Sequence, residues 1–361
     1  MDERFWREVH LFYPRLKQIV KESGRSYLSI ILQFIKLRKR IGLEFNEYYY
    51  YEFDKQNYEF LETYLSTDEK FKYLGLLNPK KYYIIARNKY FSHLLLASHN
   101  ISKADLIFYF DPFIKNDGIL CNSEDSIYEK LKSIDDFVLK PTEGSQGVGV
   151  MVFKRIFKDK NELFFEKYNG EVIPVHNYVK NKPLICEKKI VQSESINQIN
   201  PTSINTIRCR TLLYPDGKSV VMHAYMRIGR INSCTDNAGM GGNVNGLIDI
   251  ETGMITQVIR FDGFRKKYFI KEHPDTGFVI EGFRIPNWDF IKSTMIEFQK
   301  KITIFKAIGW DVAVTDQGPV IVEMNDFWDN GAQYFFEKGW KNDIRQCYES
   351  WLKSSEIQSS R

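Results

Sequence analysis

The chain has 361 residues, of which 43% are hydrophobic and 27% charged, with a formal net charge of +5. That balance excludes global disorder and fits roughly two or three compact units with packed cores. The mild cationic excess suits an anionic small ligand and gives no reason to expect nucleic acid.

No apolar run reaches about 18 residues, so no transmembrane helix is expected. The opening MDERFWREVH carries acids and no hydrophobic core, so no secretory leader is expected there. The five cysteines, Cys121, Cys186, Cys209, Cys234 and Cys347, form no CxxC pair. Their odd number fits reduced thiols in the cytoplasm better than a disulfide frame or a zinc site.

Residues 1–65 read as a helical extension. Phe5, Val9, Phe12, Leu16 and Ile19 fall at helical spacing, and Tyr27, Ile30, Ile31, Phe34 and Leu37 repeat it. The second helix ends in Lys36, Arg38, Lys39 and Arg40. It suits either peripheral contact with an anionic membrane or packing on the body with a solvated basic end. Residues 66–135 read as a small α/β unit. Tyr82 to Ile85 and Leu106 to Tyr109 look like strands, and Asn88-Lys89 opens a helix from Tyr90 to Ser98. Residues 136–190 form a lobe with a glycine-rich loop, closing on a strand from Leu184 to Ile190. Residues 191–330 form a larger, strand-rich lobe. In it, Asn205 to Leu213 and Ser219 to Ile228 flank the turn Tyr214-Pro215-Asp216-Gly217. Ile291, Met295, Phe298, Ile302 and Phe305 mark an amphipathic helix packed on a sheet. In the tail, 331–361, one helix is expected from about Gln333 to Leu352.

The stretch FVLKPTEGSQGVGVMVF, Phe137 to Phe153, runs strand, lysine, glycine-rich loop, strand. Glycines let backbone N–H groups approach phosphate oxygens, and Lys140 adds a point charge. A long hairpin turn with glycines at positive φ accounts for the same residues. No Gly-Lys-Ser/Thr closes a Walker A loop, and the glycines lead into a strand, not a helix as a Rossmann fingerprint requires.

GWDVAVTDQGPVIVEMN, Gly309 to Asn325, reads as a β-hairpin. A three-residue loop, Asp316-Gln317-Gly318, pairs Thr315 with Pro319 and sets Asp311 across from Glu323; a two-residue loop would put them on opposite faces. Asn325 shares the face of Glu323. Opposed side chains on such a pair sit about 5 Å apart at Cβ. Two carboxylates and an amide oxygen so placed repel unless a cation lies between them, and these hard ligands suit Mg²⁺. A solvated acidic hairpin is the plainer account.

Lys140, the Gly144–Gly149 loop, Glu187 at the end of an apolar strand, and Asp311 with Glu323-x-Asn325 resemble, in this order, the ATP-grasp superfamily. Asn88-Lys89-Tyr90, NPTSINTIR (Asn200 to Arg208) and DNAGMGGNVNG (Asp236 to Gly246) resemble its sugar-transfer-associated branch, found with polysaccharide-biosynthesis proteins. The likeness covers roughly residues 70–330. It implies an α+β ATP-grasp fold, two lobes clamping ATP, preceded by the helical extension and the small α/β unit. It implies that Lys89 and Lys140 reach the phosphates and that Gly144, Ser145, Gln146, Gly147, Val148 and Gly149 fold over them. Glu187 resembles the hinge residue at adenine and ribose, with Lys188 and Ile190 offering backbone groups to the base. Asp311, Glu323 and Asn325 would hold one or two Mg²⁺ ions.

Arg208 and Asn205 belong to the site by the same resemblance, with Arg227 as a further candidate. A Pro215-Asp216-Gly217 loop would set Arg227 across from Asn205 and Arg208 across from Ala224, so the two arginines would face opposite sides unless a bulge intervenes. Asn243 is a candidate for phosphate or substrate, and His273 is either a substrate-loop residue or surface structure.

The implied reaction joins a carboxylate to an amine. A carboxylate is a poor electrophile; the γ-phosphoryl group converts it to an acyl phosphate, which an amine then attacks. The expected partners are ATP, a small or sugar-linked carboxylate and an amine, in polysaccharide or cell-surface sugar biosynthesis. The expected location is the cytoplasm, with contact at the inner face of the membrane left open as one of the two readings of the N-terminal basic helix. A phosphotransferase on the same fold, or a catalytically silent nucleotide-binding scaffold, are the alternatives.

Overall fold

A computed structural model describes residues 3–144, 147–180, 182–231 and 243–359. Its largest unit is a seven-stranded antiparallel sheet. In spatial order it runs Lys267–Ile270, Ile255–Phe261, Val244–Ile248, Ser219–Ile228, Thr206–Leu213, Ala307–Thr315 and Gly318–Asn325. Alternation along each strand gives the sheet two unlike faces. Ile207, Cys209, Met226, Val258, Ile308 and Trp310 form one core with the helix Trp288–Lys301, which buries Ile291, Met295 and Phe298. Burying each such side chain contributes about 1.5–3 kcal/mol, so the helical spacing read from the sequence fixes which face turns inward. The opposite face carries Thr206, Arg208, Arg210, Arg227, Asn245 and Asp311, none more than 9% exposed.

A smaller mixed sheet runs Leu120–Cys121, Leu106–Phe110, Leu184–Lys188, Phe137–Pro141 and Met151–Phe153. A three-stranded sheet, Arg155–Asp159, Glu162–Glu166 and Val172–Pro174, shares its apolar cluster through Phe137, Phe153, Ile156 and Phe165.

The segment 66–135 has no sheet of its own. The strand Leu106–Phe110 pairs with Leu184–Lys188 and so joins the glycine-loop lobe. The helices before it cover the large lobe, where Leu74 and Leu77 pack with Trp328, and Ala86 and Leu96 with Ile321. The strand expected at Tyr82 to Ile85 is instead a 3₁₀ turn, Lys80–Tyr82, running into the helix Tyr83–Arg87. Four apolar residues cannot distinguish strand from helix by periodicity, and Pro79, at φ −61°, favours a helical start. The tail holds two helices, not one, Gly331–Phe336 and Lys341–Ser359. They are separated at Glu337, which is left-handed at φ +52°, and at Gly339, where a Cβ would overlap the Thr63 carbonyl.

The N-terminal segment is helical over Glu3–Ser23, Tyr27–Ile41, Phe45–Tyr50 and Tyr58–Thr63. Its core, with Leu16, Ile19, Ile30, Leu37, Tyr48 and Tyr64, is separate from those of the lobes.

Candidate active site

The hairpin places Asp311 across from Glu323, by a route the sequence did not reveal. Thr315 pairs with Gly318, so the loop is Asp316-Gln317 and has two residues, not three. That register alone would set the two acids on opposite faces. Between Ile321 and Glu323, however, Val322 is an extra residue: Val312 pairs with Ile321 and Asp311 with Glu323. This bulge restores the facing pair. Asn325 falls across from Gly309 and donates from Nδ2 to the Gly309 carbonyl at 3.3 Å.

A second bulge corrects the arginines. Val221 pairs with Thr211 but His223 with Arg210, leaving Met222 over. Arg208 therefore lies across from Tyr225 and Arg227 across from Thr206, and both point to the face of Asp311. On its other side the Arg208 strand pairs Arg208 with Asp311 itself. Arg227 Nη2 is 2.8 Å from Asp311 Oδ2, and Arg208 Nη2 donates to the same oxygen at 3.2 Å. Arg208 Nε also contacts Asp311 Oδ1. Burial alone would weaken the charge on Arg208, but Asp311 more than offsets it and holds the guanidinium above its ordinary pKa.

Glu323 is the contrasting carboxylate. Among the described residues its nearest charge partner is Lys89, at 3.9 Å. Burial, then the Asp311 charge, push its carboxyl above the ordinary value. Lys89 starts the helix Lys89–Ser98, capped by Asn88. Its N–H donates to the Thr142 carbonyl at 2.8 Å and its Nζ to the Gly144 carbonyl at 3.1 Å. The lysine thus ties the glycine-rich loop to the acidic hairpin.

Lys140 enters the same cleft from Phe137–Pro141, with Nζ 2.5 Å from Glu187 Oε2. His93 Nδ1 lies 3.9 Å from the other Glu187 oxygen. Burial favours the neutral acid at Glu187, but Lys140 and His93 outweigh it and hold the carboxyl below 4.5. A depressed carboxyl adds stability above its unfolded pKa and loses it as pH falls through the folded one. Lys140→Met should therefore cost about 1 kcal/mol or more at neutral pH. The difference from wild type should shrink below about pH 4.5, the ordinary value for a Glu carboxyl. Denaturant titrations at about pH 7 and pH 4 check it; parallel losses at both would show that the pair carries no such linkage.

Gly144, Gly147 and Gly149 all have positive φ, at +115°, +73° and +76°. A Cβ at Gly149 would also meet Pro141 at 2.9 Å. Val148, in the same loop, is 70% exposed. Ser145, Gln146 and the 236–242 part of the second glycine-rich loop lie outside the described residues. Asn243, at the end of that loop, is fully buried, and its carbonyl accepts from Phe261 N–H at 3.4 Å.

Other expected site residues are placed differently. The Asn205 amide donates to the Asn200 carbonyl at 2.8 Å and to Gln192 Oε1 at 3.3 Å, and accepts from Gly229 N–H at 3.3 Å. These bonds occupy its amide in holding two loops together. The Lys188 N–H is bonded to the Asp105 carbonyl at 2.9 Å, so that donor is not offered to a base. Ile190, just past the strand, is half-buried. His273 is 1% exposed, not on the surface, and braces Gly229 through Nε2 at 2.9 Å.

Residues 68–347 match the family model described as sugar-transfer associated ATP-grasp. The chain belongs to this family. No curated protein matches it. Among solved structures, it is similar to D-alanine–D-alanine ligase from Bacillus anthracis at 14% identity and a TM-score of 0.40, over 75% of this chain and 70% of that one. It is similar to phosphoribosylamine–glycine ligase from Thermotoga maritima at 13% and 0.43, over 75% of this chain and 56% of that one. It is also similar to the biotin carboxylase domain of Hydrogenobacter thermophilus 2-oxoglutarate carboxylase, solved with MgADP, ADP and bicarbonate, at 13% and 0.37. That match covers 68% of this chain and 40% of the other.

The fold is thus the α+β ATP-grasp fold. A cleft is bordered on one side by Lys89, Lys140 and Glu187 and on the other by Ile321 and Glu323. The residues present fit a divalent cation. No side-chain hydrogen bond holds the Glu323 carboxylate among the described residues, and burial, then the Asp311 charge, raise its pKa. Asn325 is pinned through its amide nitrogen, so its oxygen is the atom that could serve a cation. Asp311 shares its charge with two arginines.

Three neighbours of this ATP-grasp site were not singled out for it. Arg210, fully buried, sits over the Trp340 ring at 4.1 Å and pairs with no acid within 4.0 Å among the described residues. Its Nη1 meets His223 Nδ1 at 3.3 Å; burial and Arg210 keep His223 neutral, able to accept. Asp329, exposed at this site, has its carboxyl held low by the charges of Arg210 and Arg208. Arg210 was visible as the next residue on the Arg208 face; Asp329 sits in a loop, where no periodicity could reveal it.

Proposed function

We propose that the protein is an ATP- and Mg²⁺-dependent carboxylate–amine ligase acting through an acyl phosphate, in polysaccharide or cell-surface sugar biosynthesis. The observation that carries this is Lys89, set between the Gly144 carbonyl and Glu323, which brings the glycine-rich loop and the acidic hairpin onto one cleft. On this reading Lys140 exchanges Glu187 for nucleotide phosphate, and the Gly144–Gly149 loop covers the phosphates and excludes water. Asp311, Glu323 and Asn325 would hold Mg²⁺, which when bound neutralises charge on the transferring phosphoryl group. Arg227 and Arg208, both fixed by Asp311, present cationic donors toward the tetrahedral oxyanion formed when the amine attacks. Asp329, exposed beside them, is suited to receive the ammonium of the second substrate.

The family's name supports the sugar association. No described helix is long and apolar enough to cross a membrane. Cys121, Cys186, Cys209 and Cys347 are free and buried. Reduced, buried thiols support a cytoplasmic setting for the proposed activity. A screen of ADP release with Mg-ATP, across amino acids and uronic acids in pairs, tests the reaction. Release that requires both an acid and an amine supports the ligase. A stable phosphorylated product without an amine would make it a kinase, and no release with any pair would overturn the enzymatic reading.

A further inference from the structure

The helix Tyr27–Ile41 is apolar on two sides. Its inward side buries Ile30, Leu37 and Ile41 against the N-terminal core. Its outward side exposes Leu28, Leu32 and Ile35, which are 67%, 57% and 41% exposed. Their spacing of four and three puts them in one stripe. Tyr27 adjoins it, 39% exposed, with its ring stacked at 6.5 Å on that of Tyr13, which is 62% exposed. Lys39 continues the stripe by another four residues, and Lys36 and Arg38 flank it, all exposed. Among the described residues these three cations make no ion pair, whereas Arg40, beside them, pairs with Glu62. The helix holds no acidic residue.

We propose that this outward face docks on an anionic lipid surface, with the Leu28–Leu32–Ile35 stripe in the headgroup–acyl boundary and Lys36, Arg38 and Lys39 on the lipid phosphates. Cations in a last turn are explained by the helix dipole, but the dipole gives no reason for exposed leucines. Solvated packing explains the buried side but not the second stripe. An apolar stripe continued by unpaired cations, with tyrosines at its edge, is the pattern of a helix lying in a membrane interface. The unit is also fixed to the large sheet, since Arg265 bonds to Glu22, Tyr49 and Asp54. Docking would therefore carry the large lobe to the bilayer. This does not depend on the ligase assignment.

The test is co-sedimentation of the full chain with phosphatidylcholine vesicles, with and without about one-quarter phosphatidylglycerol, at low and moderate salt. Retention should be at least about tenfold greater on the anionic vesicles and fall with salt. The triple variants Leu28→Gln/Leu32→Gln/Ile35→Gln and Lys36→Gln/Arg38→Gln/Lys39→Gln should each lose about tenfold, with melting temperature unchanged, because every altered side chain is exposed. Equal retention on both vesicles, unaltered retention of either variant, or no retention at all would overturn it. So would a wild-type dimer on size exclusion that the leucine variant abolishes, which would make the stripe a contact between two copies.

Discussion

Glu323→Gln is expected to lower Mg-ATP turnover by about 10²-fold or more while raising the melting temperature of the ligand-free protein. The two effects share one cause. Glu323 lies near Asp311 in a mostly buried cleft, where burial and the Asp311 charge disfavour its ionised form, and its nearest cation among the described residues, Lys89, is 3.9 Å away. Glutamine keeps the shape and removes the repulsion, so the free protein relaxes. The same change removes the negative charge that a cation would answer, so the stabilisation given by Mg-ATP should shrink. Asp311→Asn should do the opposite to the free protein. Arg208 and Arg227 are buried and share that carboxylate, and removing it leaves two cations unmatched. Paired melting curves with and without Mg-ATP, beside turnover, separate the two roles. Wild-type turnover in Glu323→Gln would remove Glu323 from the metal site.

Both carboxylates were legible as a pair from the sequence, but the loop supporting that reading was wrong. Residue types, and the alternation that sets Asn325 on the face of Glu323, carry across any hairpin. Register does not, because one inserted residue reverses every side chain. The extra residues at Val322 and Met222 leave no mark in composition; each is one more apolar residue in an apolar strand. The first compensated for the misjudged turn. The second moved Arg227 onto the face of Arg208, which a regular ladder had denied. Long helical spacing located Trp288–Lys301, because several turns agree, although Ile302 and Phe305 lie past its end. Short apolar runs such as Tyr82 to Ile85 were not, because tertiary packing decides them. Asn205 shows the remaining limit. Motif position assigned it to the site, and only its hydrogen-bond partners show that its amide is already occupied.

Arg265→Met is expected to destabilise the protein by about 3–5 kcal/mol, the loss typical of breaking a buried ion pair from one side. Arg265 sits in the turn between Ile255–Phe261 and Lys267–Ile270, left-handed at φ +62°, a conformation that costs a non-glycine residue about 1 kcal/mol or more. The side chain holds it there. Nη1 and Nη2 reach Asp54 at 2.9 and 3.1 Å, Nη1 reaches the Tyr49 carbonyl at 3.0 Å, and Nε reaches Glu22 at 2.9 Å. Burial works against the charge, yet Asp54 and Glu22 hold the guanidinium above its ordinary pKa. Phe264 next to it stacks on Tyr50, so one turn of the large sheet clamps three segments of the helical unit. Methionine fills the volume but leaves Asp54, whose side chain is 0% exposed, without its cation. Denaturant unfolding measures the loss, and limited proteolysis should find cleavage within residues 1–65 first. The double variant Arg265→Met/Asp54→Leu should recover a large part of it, since an apolar pair replaces a buried ionic one at little cost. A single-variant loss below about 1 kcal/mol would mean that the apolar contacts hold the helical unit alone, and that the arginine only accompanies them.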